Sequence, residues 1–162
     1  MALIVQPSNS EVVIGANSYI SLANATTYLK NRGVNNTITE GQLLRGADYI
    51  NSFRERFKGC KLTSAGSSMQ WPRSDVYLDH DLLDSKTIPD LIPSAQVEVA
   101  LEISNNRDPL ETVDKRVIKK KRTDVIETEY DTSRQVLRTF DYRRIMALLR
   151  PVLNNNLGLV TR

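Results

Sequence analysis

Histidine and cysteine, the side chains most often used in metal binding and covalent catalysis, each occur once in this sequence. His80 stands between Asp79 and Asp81, with Asp84 nearby, a grouping that could form a metal or general-base site. A lone histidine without the spacing of known metal motifs is more typical of a solvated acidic loop. Cys60 has no second histidine to activate it, and the chain contains neither a glycine-rich phosphate loop nor a serine elbow motif. The sequence therefore predicts no enzyme, no metal and no cofactor.

Trp71, the only tryptophan, lies in a segment without helical or strand periodicity and is followed by Pro72. Together with Tyr77 it could stack on the bases of single-stranded nucleic acid. Alternatively, the large rigid ring pins the loop to a packed body, because proline biases the residue before it toward an extended conformation. The segment carries Arg73 but no dense basic groove, so the anchoring interpretation is favoured. A loop held in this way is available for contacts with partners.

The one basic run consists of three lysines and an arginine at 119–122. Such a run could contact phosphates non-specifically and with strong salt dependence. In a strand, however, successive side chains point to opposite faces, so these lysines would not form one patch. Because Glu127 and Glu129 follow closely, a solvated hairpin or a charged contact with a neighbouring subunit is favoured.

Charge is nearly balanced, with 22 basic residues against 19 acidic ones and a formal net charge of +3. A dedicated duplex-DNA binder usually has a denser basic face, whereas a protein that only surrounds DNA needs none. Apolar residues make up 40% of the chain, which allows one domain with a modest core and favours further burial between copies.

A single cysteine fits a reducing compartment. The sequence predicts neither a signal peptide nor an apolar run of about 20 residues that could span a membrane.

Two N-terminal helices are marked by their capping residues. Ser21 is the predicted N-cap of the first helix, and Gly33 is its predicted C-terminal glycine. Thr39 begins a capping box for the second helix, and an apolar stripe at helical spacing then continues through Phe57. This pattern predicts a second helix that ends at Gly59.

The middle of the chain is predicted to form a long loop over 60–89, a length typical of functional or disordered segments. Short strands are predicted at 2–5 and 12–14. A third helix, starting at Pro89 or Pro93, is apolar on nearly all sides. A helix with so wide an apolar face is expected at the centre of the fold.

A second β element is predicted at 113–130, where β-branched residues are frequent. The expected turn sets Lys119 opposite Glu127, an opposite-charge pair that favours a hairpin. Two charged strands alone are only marginally stable, so the hairpin is expected to lean on another surface.

The last helix is predicted to begin near Asp141 and to bend or end at Pro151, followed by a tail over 154–162. The predicted fold is mainly α. It is a small bundle of about four helices in one domain over 1–162, with a long central loop and a projecting β-hairpin arm.

Several segments together resemble the head–tail connector, or adaptor, proteins of tailed bacteriophages. The most specific motifs are Asn17-Ser18-Tyr19 and Trp71-Pro72-Arg73. The segments that carry the resemblance cover most of the chain and lie at 2–5, 16–23, 44–50, 70–74, 88–89, 95–100 and 148–153. Some members of this group are labelled DnaT-like single-stranded DNA-binding proteins. The family offers no catalytic motif to carry over.

The resemblance implies a structural virion protein that forms a dodecameric ring beneath the portal, at the neck of the particle, after assembly in the bacterial cytoplasm. The ring would continue the channel for double-stranded DNA without sequence specificity. It would bind the portal protein on one side and the next neck or tail-completion protein on the other, with no membrane partner. The alternative function is a single-stranded DNA-binding replication accessory protein.

The residues predicted for interface contacts lie on the central loop, the hairpin arm, and the C-terminal helix with its tail. They are Trp71, Arg73, Tyr77, Lys119, Lys121, Glu127, Glu129, Arg150 and Leu157.

Overall fold

The computed structural model describes residues 2–62, 68–110, 118–121, 128–130 and 142–154, with backbone pairing alone at 118–121 and 128–130. The chain divides into two compact units. The first comprises Met1–Pro109 and Tyr142–Arg162, and the second comprises Leu110–Asp141. The predicted hairpin arm falls in the second unit.

Four α-helices and six short strands make up the described elements, and the prediction of a mainly α fold with a β-hairpin is confirmed. The helices are α1 (Leu22–Asn31), α2 (Glu40–Ser52), α3 (Leu91–Ser104) and α4 (Arg143–Leu149), and a 3₁₀ turn covers Arg150–Val152. The strands are β1 (Cys60–Lys61), β2 (Arg73–Ser74), β3 (Tyr77–Leu78), β4 (Asp81–Leu82), β5 (Ile118–Lys121) and β6 (Thr128–Tyr130). None of the described helices is long and apolar enough to cross a membrane.

Both predicted caps of α1 and α2 are confirmed. The Ser21 side chain accepts a hydrogen bond from the backbone of α1, and Gly33 follows the helix with φ +70°. Thr39 and Gln42 form the complete capping box of α2. These side chains satisfy backbone N–H groups that have no partner within the helix, so local sequence fixes where both helices begin.

The predicted C-terminal extension of α2 to Gly59 is wrong, because the helix ends at Ser52. Phe57 is still buried, but its backbone forms an antiparallel bridge with Leu153. Gly59 has φ +67°, and a Cβ atom there would lie 2.1 Å from the carbonyl oxygen of Ser74. The chain leaves the helix early because this close approach and the bridge require a different backbone path.

The prediction that α3 is central is confirmed. It packs against α1, α2 and α4, and its buried residues include Gln96 and Glu98 beside the apolar ones. Gly46 of α2 lies so close to α3 that a Cβ there would come within 2.7 Å of the Gln96 carbonyl oxygen. Gln96 also donates hydrogen bonds to Ser18 and to the Leu43 carbonyl, which ties the N-terminal segment and α2 to the central helix.

The predicted strand at 12–14 is absent, and of residues 2–5 only Val5 forms a bridge, with Ser18. The reason is the buried side chain of Gln6. It accepts a hydrogen bond from the Val13 N–H at 2.7 Å and donates one to the Glu11 carbonyl at 3.1 Å. A side chain therefore satisfies the backbone groups that a strand would otherwise pair.

The segment predicted as a long loop contains four two-residue strands. β1 pairs with β2, and β3 pairs with β4 through a two-residue turn at Asp79 and His80. Both turn residues have positive φ, at 50° and 76°, as type I′ hairpin turns require. The pairing escaped sequence analysis because Asp-His is an unusual pair for this turn.

The second unit contains the hairpin of β5 and β6, and its predicted register is wrong. Lys120 lies opposite Glu129 and Lys121 opposite Thr128, with an irregularity between Ile118 and Lys120. An opposite-charge pair is retained in the hairpin, but it is not the predicted Lys119–Glu127 pair, and Glu127 lies outside the described residues.

The C-terminal helix agrees with its prediction. Ile145, Leu149 and Val152 are buried, and Pro151 lies in the 3₁₀ turn that ends the α-helix. The tail prediction at 154–162 falls outside the described residues, except for Asn154.

Candidate nucleic-acid interface

Trp71 anchors its segment in the core of the first unit. The side chain is only 1% exposed and packs edge to face on Phe57, with ring centroids 5.7 Å apart. Its indole Nε1 is buried and has no hydrogen-bond partner among the described residues. The anchoring interpretation is confirmed, and the ring is not available for stacking on a base.

A buried tyrosine holds the backbone that carries Trp71. The Tyr19 hydroxyl donates to Asn51 Oδ1 at 2.7 Å and accepts from the N–H groups of Gln70 at 3.0 Å and Trp71 at 3.3 Å. Burial raises the pKa of Tyr19 well above its ordinary value, so the hydroxyl stays protonated and can fill both roles. Sequence analysis missed this partnership because Tyr19 and Trp71 are far apart in the chain.

Arg73 is also committed to contacts inside the unit. Its guanidinium donates to the carbonyls of Lys58 at 2.8 Å and Gly59 at 2.9 Å, and lies 5.7 Å from the ring of Phe57. Burial lowers its pKa, yet an arginine remains charged at neutral pH. Tyr77, by contrast, is 57% exposed on β3.

The other predicted site residues belong to the 3₁₀ turn, to the second unit or to the tail beyond Asn154. Arg150 is exposed in the 3₁₀ turn, while Lys119, Lys121 and Glu129 lie on the paired strands of the second unit. Glu127 and Leu157 lie outside the described residues.

The acidic cluster around His80 is explained by the β3–β4 turn. Asp79 and His80 are exposed turn residues, and Asp81 begins β4. Across the described ranges, no group of three or more histidine, cysteine, aspartate or glutamate side chains is arranged to hold a metal ion.

A different set of aromatic side chains lies at the surface where α2 ends beside α4. The ring of Tyr49 is 5.2 Å from that of Phe53 and 6.2 Å from that of Tyr142, measured between centroids. All three side chains are half-buried, so each ring is supported by the core and still reaches solvent.

Arginines border this row of rings at both ends. At one end, the Arg56 guanidinium lies 5.3 Å from the Phe53 centroid. At the other end, the Tyr142 hydroxyl donates to the backbone carbonyl of Arg107 at 3.5 Å. We define the aromatic–arginine stripe as the three rings and four exposed arginines that neighbour them in space or in the chain: Tyr49, Phe53, Tyr142, Arg45, Arg54, Arg56 and Arg107.

Three of the four arginines are partly neutralised by neighbouring acids. Arg45 pairs with Asp108, Arg107 with Glu102, and Arg54 with Glu55. Arg56 forms no ion pair within the described residues, so its guanidinium is the one most available to an incoming anion.

The rings of the stripe are neutral at physiological pH. Burial raises the pKa of Tyr49, although the nearby Arg56 opposes the shift. Burial, with the charge of Glu102 as a smaller cause, raises the pKa of Tyr142 to about 12. A neutral ring adds no negative charge, so it can lie next to a phosphate backbone without repelling it.

The stripe arises from helical spacing combined with the early end of α2. Arg45 and Tyr49 are four residues apart, as are Tyr49 and Phe53, so they lie on one side of the helix. Leu43 and Ile50 meanwhile face the core. The sequence signal was this spacing, but Phe53 lies within the range over which an apolar, core-facing stripe was predicted to continue through Phe57.

The whole sequence, residues 1–162, matches the family model described as "Putative DnaT-like ssDNA binding protein". The chain belongs to this family. No curated protein and no solved structure matches the chain. Family membership over the full length agrees with the label carried by part of the group that the sequence resembles.

Proposed function

We propose that this family member binds single-stranded DNA through the aromatic–arginine stripe, without catalysing a reaction. The observation that carries the proposal is the row of three half-exposed rings with Arg56 packed beside Phe53. Proteins that bind single strands commonly combine aromatic stacking platforms with a positively charged path for the backbone. The description of the family supports this function over a purely structural one.

In the proposed complex, bases stack on the exposed parts of Tyr49, Phe53 and Tyr142, while phosphates approach Arg56 and Arg54. Stacking tolerates any base, because every base has a π face. Among the four arginines of the stripe, only Arg56 has no ion-pair partner within the described ranges, so few phosphates would be neutralised. Binding should therefore be sequence-tolerant and of modest affinity, with a shallow dependence on salt, because the salt slope scales with the number of phosphates neutralised.

The test is fluorescence anisotropy with a labelled oligo-dT strand at low salt. Arg56→Ala should weaken binding about tenfold by removing a cation that borders a stacking ring. Phe53→Leu should weaken it by about 5-fold or more, because leucine keeps the apolar contact but offers no ring for stacking. Lys30→Ala, at an exposed lysine on α1, is the matched control and should bind as the wild type does.

The lysine and arginine run at 119–122 is a second candidate contact for the same strand, and its neutralisation should be tested separately. If the full chain fails to bind single strands at low salt, the proposed function is wrong. If binding persists but neither stripe variant weakens it, the stripe is not the interface.

A second candidate function is the ring-forming adaptor of a phage neck, bound between the portal and the next neck or tail protein. The observation in its favour is the exposed pair Tyr77 and Leu82 on the β3–β4 hairpin, which suits contact with another protein. Electron microscopy of the chain mixed with its portal would test it. Particles without this chain at the portal vertex would overturn it, together with the localisation in the virion that it implies.

A further inference from the structure

The β3–β4 hairpin of the first unit carries a cluster of acidic side chains. Asp75, Asp79, Asp81 and Asp84 are all exposed, and no lysine or arginine lies among residues 75–84. Neither Asp79 nor Asp81 forms an ion pair within the described residues. We call residues 75–84 the acidic hairpin. Its charge would repel a nucleic acid, so it plays no part in the proposed DNA interface.

The acidic hairpin also carries the exposed apolar pair. Tyr77 and Leu82 are directly opposite each other across the two strands and are 57% and 61% exposed. Leu78 packs against the core instead, so the strands turn one face inward and the other outward. The outward face carries this apolar pair, and both of its side chains are exposed.

A basic residue of the first unit contacts the acidic hairpin. Lys58 Nζ lies 3.4 Å from the carbonyl oxygen of Tyr77, and Gly59 is in close contact with the chain just before the hairpin. Arg54 and Arg56 of the aromatic–arginine stripe precede Lys58 by a few residues in the same turn region. The acidic hairpin is therefore in contact with the segment at 58–59 that follows Arg56 of the stripe in the chain.

We propose that the acidic hairpin binds the aromatic–arginine stripe of a second copy of this chain. The turn end of the hairpin, where Asp79 and Asp81 are exposed, would face Arg54 and Arg56, while the apolar pair would pack on the rings of the stripe. Two complementary patches on one molecule fit a two-fold pair, in which each patch meets its complement on the other copy. Charge complementarity then sets the orientation of the pair.

One consequence rests on the proposed function. If single-stranded DNA binds the stripe, it competes with the acidic hairpin of the second copy for the same arginines. Adding oligo-dT should then convert pairs into DNA-bound single copies. The hairpin of the second copy would exclude strands that bind the stripe only weakly. The pair itself does not depend on DNA and can be measured without it.

The test is charge reversal, followed by sedimentation equilibrium of the full chain without DNA. The hairpin variant combines Asp79→Asn, which tolerates the positive φ of the turn, with Asp81→Lys. The stripe variant combines Arg54→Glu with Arg56→Glu. Each variant alone should dimerise at least about tenfold more weakly than the wild type, because like charges then face each other.

Mixing the two variants should restore a one-to-one pair, because lysine then meets glutamate at one contact and the native charges meet at the other. Lys30→Glu, which reverses the charge of an exposed lysine on α1, should leave dimerisation unchanged. A chain that stays monomeric up to about 1 mM would overturn the proposal, as would variants that dimerise like the wild type. If the chain binds DNA but does not dimerise, only this inference is wrong. If it dimerises but does not bind DNA, only the proposed function is wrong.

Discussion

The Trp71 segment and the aromatic–arginine stripe contain similar side chains, but these side chains differ in how deeply they are buried. In the segment, Trp71 and Arg73 are buried, and their neighbours satisfy most of their polar atoms. In the stripe, Tyr49 and Phe53 are half-exposed, and Arg56 has no ion-pair partner in the described part of the chain. An aromatic and an arginine close together in sequence therefore do not by themselves mark a binding surface. A binding surface requires, in addition, polar atoms that are not already satisfied by neighbours in the protein.

The largest expected difference between the two regions is in stability. Trp71→Ala should lower the free energy of unfolding by about 3–5 kcal/mol, because it leaves a cavity where a fully buried ring stood. Phe53→Leu in the stripe should cost less than about 1.5 kcal/mol, since the side chain is half-exposed and its apolar volume is largely kept. Urea unfolding of both variants measures the two values. Equal losses would mean that the regions do not differ in packing as described.

The hydroxyl of Tyr19 gives the next largest contrast. Tyr19→Phe removes the acceptor of two backbone N–H groups and the donor to Asn51, so unfolding should become easier by about 1–3 kcal/mol. Tyr49→Phe removes a hydroxyl in the stripe and should change stability by no more than about 0.5 kcal/mol. A neutral Tyr19→Phe would show that the hydrogen bonds at Gln70 and Trp71 do not hold the segment.

Alkaline pH should test the burial of the Tyr19 hydroxyl. Burial raises the pKa of Tyr19 in the folded chain, whereas the unfolded chain titrates near pH 10. The folded state then keeps a proton that the unfolded state loses. The contribution of Tyr19 is thus complete below about pH 10 and is lost as pH rises above it. In Tyr19→Phe, the fall of unfolding free energy above that pH should be shallower by up to about 1.4 kcal/mol per pH unit. Urea unfolding between pH 9 and 11 measures it, and parallel curves would contradict the burial of this group.

The features that sequence analysis predicted correctly are those fixed by neighbouring residues. The capping box at Thr39 and Gln42 needs only a four-residue window, and the apolar character of α3 is visible in its own residues. The anchoring role of Trp71 also follows from its size and its proline neighbour. Local patterns carry this information because caps, periodicity and turn preferences act within one or two helical turns.

The features that escaped prediction depend on residues distant in the chain. α2 ends early because Phe57 bridges to Leu153, and the stripe exists because Tyr142 returns to lie beside Tyr49. No window of local sequence contains both partners of either contact. The exposed hairpin turn at Asp79 and His80 was missed for another reason, since its residues fit the required φ values without being the commonest choice.

The smallest expected effect on stability belongs to Arg56, and it sharpens the comparison most. Because Arg56 is exposed and makes no ion pair within the described ranges, Arg56→Gln should change the free energy of unfolding by no more than about 0.5 kcal/mol. The same change should weaken binding of oligo-dT and flatten its salt dependence by roughly 0.7 in the slope of log affinity against log salt, the value for one lost phosphate contact on a single strand. Arg73→Gln should instead lower the free energy of unfolding and leave binding of oligo-dT unchanged. Removing this buried guanidinium leaves the carbonyls of Lys58 and Gly59 without their donor. If both substitutions affected stability and binding to the same extent, the distinction between an anchoring region and a binding region would have no physical basis in this chain.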